Sequence, residues 1–132
     1  MNRLLALIIV AASLFITAAP LSAHHGRGAT YDMKKQITLK GTITEVAWRN
    51  PHVAVYMDVK DAGGNVVHWA FENSNVSTLS RQGYNRNTLK VGEEVTAIVN
   101  PSAQGSPRGL VVKVILPDGK EVFSRERGNP VD

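Results

Sequence analysis

The side chains best suited to chemistry in this 132-residue sequence are its four histidines, because the chain has no cysteine. His24 and His25 are adjacent, whereas His52 and His68 stand alone. Imidazole nitrogen suits copper, nickel and zinc, and copper(II) has the highest affinity of the three. The histidines therefore indicate a transition-metal site, with copper as the first choice.

The segment before the first histidine has the three parts of a secretory signal peptide. Arg3 supplies a positive charge, residues 4–19 form an uncharged apolar run, and Leu21-Ser22-Ala23 ends in small residues that suit signal peptidase. The run is shorter than the roughly 20 residues that a membrane-spanning helix needs. We therefore expect cleavage after Ala23, a periplasmic or secreted protein, and no stable membrane insertion after cleavage.

Cleavage after Ala23 would make His24 the first residue, so that its α-amine and imidazole can chelate one metal ion as a pair. A nitrogen from His52 would complete a T-shaped site similar to the histidine brace of certain copper proteins. If cleavage follows Ser22 instead, His25 is third from the terminus, which favours a square-planar site for copper(II) or nickel(II). The other interpretation of the two adjacent histidines is a solvated chain end without a metal.

The elements that must position these groups follow from hydrophobic alternation. Alternating apolar residues predict five strands, and the Asn-rich start and glycine stop of residues 73–83 predict one short helix between the third and fourth strands. This order is typical of the OB-fold, a five-stranded barrel, so the predicted fold is mainly β and OB-like. A small β-sandwich of the same strands is the alternative. The predicted strands are 37–46, 52–59, 66–72, 93–100 and 109–116, with a stub at 121–123.

The chain divides into four predicted parts. Residues 1–23 are the cleaved signal peptide, and residues 24–36 have no apolar period, so they are an irregular arm. Residues 37–124 are the OB-like β domain. Residues 125–132 are a flexible tail.

Two turns set the position of His52. Pro51 has no amide hydrogen and disfavours helical backbone before it, so it ends one strand and shapes the entry to the next, which His52 begins. The turn 61–65 then fixes the hairpin register, in which Ala54 faces Glu72. His52 is diagonal to Glu72, about 7 Å away between backbone positions. This carboxylate could orient the imidazole or bind the same metal ion.

The same register separates the remaining candidates. His68 faces Asp58 and lies about 20 Å along the ladder from His52, so the two histidines cannot share a metal ion. Tyr56 faces outward in a shallow spot where its ring could stack on a sugar or a peptide. Trp48 is the other aromatic candidate for ligand contact, although core or edge packing is its simpler role. These residues support a second hypothesis, an OB-like binding module for a peptide, a glycan or an envelope partner.

Charge and motifs exclude several classes. The formal net charge is +4 and the pI is about 9.6, but Lys34-Lys35 is the only adjacent basic pair, and export separates the protein from nucleic acid. The sequence has no G-x-S-x-G elbow and no phosphate-binding loop, and its carboxylates are scattered.

The leading interpretation is a non-enzymatic metal-binding protein. Oxidative copper chemistry would also need an open coordination position and a substrate surface. The sequence carries no signal for oligomeric state.

A set of short motifs spread over nearly the whole mature chain resembles a family of small exported bacterial proteins known only as a domain of unknown function. The resemblance implies a periplasmic, β-rich module and brings no activity with it. The motifs are His24-His25-Gly26, Leu39-x-Gly41, Val46-x-Trp48-x-Asn50-Pro51-His52, Trp69-Ala70-Phe71-Glu72 and Leu89-x-x-Gly92-x-x-Val95.

Overall fold

The computed structural model describes residues 26–125. The predictions for the signal peptide, for His24 and His25, and for all but the first residue of the tail lie outside the described residues. Each predicted strand is present within two residues of its predicted bounds, and the helix lies between the third and fourth strands. The elements are α1 (Arg27–Thr30), β1 (Ile37–Ala47), β2 (Ala54–Lys60), β3 (Val66–Glu72), α2 (Val76–Arg81), β4 (Glu94–Pro101), β5 (Arg108–Ile115) and β6 (Glu121–Val122).

The strands form one closed barrel. Their order in the sheet is β3-β2-β1-β4-β5-β6, with antiparallel neighbours throughout. A parallel pairing between β3 and β5, from Ala70 with Arg108 to Glu72 with Leu110, joins the sheet to itself. The five long strands therefore close as the OB-like prediction requires, and they do not split into the two sheets of a sandwich. β6 adds a short sixth strand beside β5.

Strand alternation places the apolar side chains inside the barrel. Along β2, every second residue is buried, as expected for a strand with one face on the core. Leu79 of α2 is buried against the same cluster, which ties the helix to the barrel. The core cluster consists mainly of Ile43, Val53, Val55, Met57, Phe71, Leu79, Leu89, Val95, Ala97, Val99, Val111, Val114 and Phe123.

β1 pairs with β2 along one edge and with β4 along the other, and the two pairings overlap at Gly41 and Thr42. Gly41 is paired with Val59 on one side and Val95 on the other. A Cβ built at Gly41 would lie 2.4 Å from the carbonyl oxygen of Asp58, so only glycine permits this close approach. The β1–β2 register also shifts between Ile43 and Glu45, and such a bulge increases the local bend.

The hairpin of β2 and β3 has the predicted register. Ala54 faces Glu72, and Asp58 faces His68. At the turn, the Asp61 carboxylate accepts hydrogen bonds from the amides of Gly63 and Asn65. The pKa of Asp61 is lowered from its ordinary value of 3.8, most of all by the hydrogen bond from the backbone amide of Asn65 and next by the hydrogen bond from the Asn65 side chain.

The predicted irregular arm is more ordered than its sequence indicates. After the single turn of α1, Tyr31 forms an isolated bridge with Ser102, and its side chain is only 2% exposed. The amide of Asp32 donates to the carbonyl of Pro101, and the amide of Ala103 donates to that of Thr30. The arm therefore runs along the end of β4 and packs one aromatic ring into the protein. Among residues 26–125, no helix has the length and apolar character to cross a membrane.

Candidate functional site

His52 is held at the end of β3 by backbone hydrogen bonds on its neighbour. The Val53 amide donates to the carbonyl of Ser74 at 3.0 Å, and the Asn73 amide donates to the carbonyl of Val53 at 2.8 Å. The peptide bond before Pro51 is cis. The loop between β1 and β2 is thus attached to the chain that leaves β3, which brings His52 next to the last residue of that strand.

Three side chains from three parts of the fold meet at this point. The His52 Nδ1 atom lies 3.2 Å from Oε1 of Glu72. The Tyr31 hydroxyl donates to the other carboxylate oxygen, Oε2, at 2.8 Å. Glu72 therefore links the loop before β2 to the N-terminal arm, and we call these three residues the Glu72 triad. A carboxylate at Nδ1 is the arrangement that orients many metal-binding histidines and leaves Nε2 available as a ligand.

A shallow groove of about 200 Å³ opens beside the Glu72 triad. Ala54 and Ala70 contribute its small side chains, and Tyr56 lines it from β2. Arg108, the first residue of β5, lines it from the opposite side. The predicted shallow spot around Tyr56 is thus a groove that the members of the Glu72 triad also line.

Two residues of this region escaped sequence reasoning. Tyr31 lies in a segment without apolar periodicity, and the only signal for it was a lone aromatic in a polar arm. Arg108 reaches the groove because β5 pairs with β3 in parallel, and that contact closes the barrel. No local pattern in the sequence announces such a long-range pairing.

Two other candidates lie outside the groove. His68 pairs with Asp58 through its Nδ1 atom on the outer face of the hairpin, and its side chain is 82% exposed. Trp48 is partly buried and packs against the core cluster. Neither residue lines the groove beside the Glu72 triad.

The described residues supply only part of a metal site. Within residues 26–125, no three histidine, aspartate or glutamate side chains are grouped so that they could hold a metal ion. His52 with Glu72 is the pair that the structure brings together among the predicted metal ligands. His24 and His25, the other predicted ligands, lie outside the described residues.

Comparison with known proteins identifies the family. The model of a family described as "Family of unknown function (DUF6152)" matches residues 11–113. The chain belongs to this family. The resemblance to a family known as a domain of unknown function is thereby confirmed, and the match includes His52, Glu72 and Arg108 of the DUF6152 chain. No curated protein and no solved structure matches the chain.

Proposed function

We propose that this DUF6152 protein is a periplasmic, non-enzymatic metal-binding protein with copper as its metal. The ligands in this proposal are the amine and imidazole of His24, once the chain is cleaved after Ala23, and the imidazole of His52. The observation that supports it best is the contact of His52 Nδ1 with Glu72, 3.2 Å apart.

Glu72 acts in this proposal as the residue that orients the ligand. In this proposal the imidazole carries its proton on Nδ1, which faces the carboxylate 3.2 Å away, so that Nε2 has the lone pair that binds the metal. The His52 side chain is 45% exposed, so an ion can approach it from solvent. The carboxylate also holds the hydroxyl of Tyr31, which limits how far its own position can vary.

The docked arm supports the participation of the chain terminus. Tyr31 contacts the same carboxylate as His52, and His24 precedes Tyr31 by only seven residues. At about 3.3 Å per residue, seven extended residues reach at most about 23 Å. A chain that begins at His24 would therefore have its terminus within reach of His52, and so short a tether would raise the effective concentration of the terminus there.

The test is copper(II) titration of the chain that begins at His24, monitored by calorimetry with a competing chelator. The expected result is one tightly bound copper per chain. Adding Gly-Ser-Gly before His24 converts the amine into an amide, and His52→Ala removes the third nitrogen, so each change should weaken binding by at least tenfold.

His68→Ala is the matched control, because this histidine is paired with Asp58 away from the groove, and it should leave the affinity unchanged. The three-residue extension also avoids placing a histidine third from the terminus. Copper binding that tolerates both the extension and His52→Ala would contradict the proposed ligand set. Binding that survives His52→Ala but is lost on extension would show that the terminal amine and imidazole bind copper without His52, which would also contradict the proposed ligand set.

A further inference from the structure

Strand register aligns three outward-facing residues across the groove. Tyr56 of β2 faces Ala70 of β3, and Ala70 in turn faces Arg108 of β5. Neighbouring strands lie about 4.8 Å apart, so the backbone positions of Tyr56 and Arg108 are about 10 Å apart with one methyl group between them. We call this row, with Ala54 beside it, the slot. One wall of the slot is an aromatic side chain, the other is a guanidinium, and the floor is apolar and shallow.

The guanidinium of the slot is available to a ligand. Arg108 is exposed, and within residues 26–125 its side chain makes no ion pair or hydrogen bond. The acid that lines the same groove, Glu72, already holds the His52 ring and the Tyr31 hydroxyl. Arginine presents parallel N–H groups that match a carboxylate in a bidentate pair, which makes a carboxylate the complementary group for Arg108.

The size and polarity of the groove indicate what kind of carboxylate-bearing ligand it could bind. A volume of about 200 Å³ is below the roughly 300–1,000 Å³ of pockets for drug-sized ligands, so the groove accommodates a single ring. The side of the groove formed by His52 and Glu72 offers hydrogen-bonding groups, which suit hydroxyls better than the edge of an apolar ring.

We propose that the slot binds the ring of an acidic sugar, a uronate. Its carboxylate pairs with Arg108, one face of the sugar packs on Tyr56, and its hydroxyls lie toward Glu72 and His52. The two walls of the slot, Tyr56 and Arg108, are residues that the copper proposal does not use, whereas His52 and Glu72 are common to both proposals; sugar binding requires no metal ion.

The test is a titration of the metal-free protein, prepared by dialysis, with D-glucuronate, followed by ¹H–¹⁵N NMR. Glucuronate should shift the amides of residues 54–56, 70 and 108. Glucose, which lacks the carboxylate, should bind at least tenfold more weakly. Benzoate has a carboxylate on a flat ring without hydroxyls, so it should also bind more weakly than glucuronate.

Two variants test the walls of the slot. Arg108→Gln and Tyr56→Ala should each weaken glucuronate binding by at least tenfold while the spectra keep the dispersion of the folded barrel. Arg86→Gln is the matched control, since Arg86 does not line the groove, and it should bind like the unmodified protein.

Three results would overturn the proposal. No amide shifts at tens of millimolar glucuronate would show that the slot does not bind a uronate. Unchanged affinity in Arg108→Gln would remove the carboxylate pairing. Equal affinity for benzoate and glucuronate would show that the site reads a carboxylate and not a sugar. Because the titration is done without metal, none of these results depends on whether copper binds.

Discussion

Replacing Tyr31 with phenylalanine tests the contact that connects the N-terminal arm to the Glu72 triad. The ring stays in its buried position, and only the hydroxyl that donates to Glu72 is lost. Hydrogen bonds to charged groups stabilise a protein by about 1.5–3 kcal/mol. The Glu72 side chain is 23% exposed, so water can replace part of the lost contact and the lower limit, about 1.5 kcal/mol, applies.

The expected effect is measurable by thermal and urea denaturation. For a domain of about 100 residues, 1 kcal/mol changes Tm by about 4–8 °C, so Tyr31→Phe should lower Tm by about 6–12 °C. Tyr84→Phe is the matched control. Tyr84 packs edge-on against Phe123 with ring centroids 4.7 Å apart, and within the described residues its hydroxyl makes no hydrogen bond, so its loss should change stability by less than about 0.5 kcal/mol.

If His24 and His52 bind copper together as proposed, the same variant should also bind copper more weakly, by up to about tenfold, because an arm that docks less firmly would hold the terminus near His52 less of the time. A Tyr31→Phe protein as stable as the Tyr84→Phe control would refute the role of the hydroxyl in docking. A destabilised variant with full copper affinity would refute the link between the arm and the metal.

Three further predictions concern the elements around the site. Gly41→Ala should lower the free energy of unfolding in urea by at least about 2 kcal/mol, because the new Cβ would collide with backbone. Gly28→Ala is the control, since a Cβ there meets nothing within 4 Å, and it should lower the free energy of unfolding far less. Equal losses of stability in the two variants would contradict the close approach at Gly41. The pKa of Asp61 is lowered, so the stabilising effect of its carboxylate is present above pH 3.8 and is lost as the pH falls through the folded-state pKa. The difference in Tm between the unmodified protein and Asp61→Ala should therefore shrink in acid. A Tm difference that does not depend on pH would be inconsistent with the lowered pKa. Glu72→Gln should weaken copper binding by about 10–100-fold if the carboxylate orients the ligand, and calorimetry showing no change would exclude that role.

The part of the site that the sequence predicts is the part that local rules determine. A strand has a period of two residues, and the turn at Asp61 sets the register of the hairpin. Together these rules place Glu72 opposite Ala54 and within reach of His52, as the structure has it. The order of the strands along the chain and the position of the helix after the third strand likewise follow from alternation and turn residues. That order is sufficient to predict an OB-like barrel.

The rest of the site depends on contacts that local rules do not specify. Arg108 lines the groove only because β5 meets β3 in parallel when the barrel closes, 38 residues away from Ala70 in sequence. Tyr31 docks through a bridge to Ser102 and through the hydrogen bond from its hydroxyl to Glu72, in a segment with no periodic pattern. Both are tertiary contacts between distant segments, and neither has a signature in its own neighbourhood of the chain.

The most direct test of the copper proposal is to count the imidazoles on copper(II) by pulsed electron paramagnetic resonance. The one-to-one complex of the chain that begins at His24 is compared with the same complex of His52→Ala, and His68→Ala serves as the control. His52→Ala should have one coordinated imidazole fewer than the unmodified protein, and His68→Ala should have the same number. The same count in all three proteins would show that His52 is not a ligand and would contradict the proposed site.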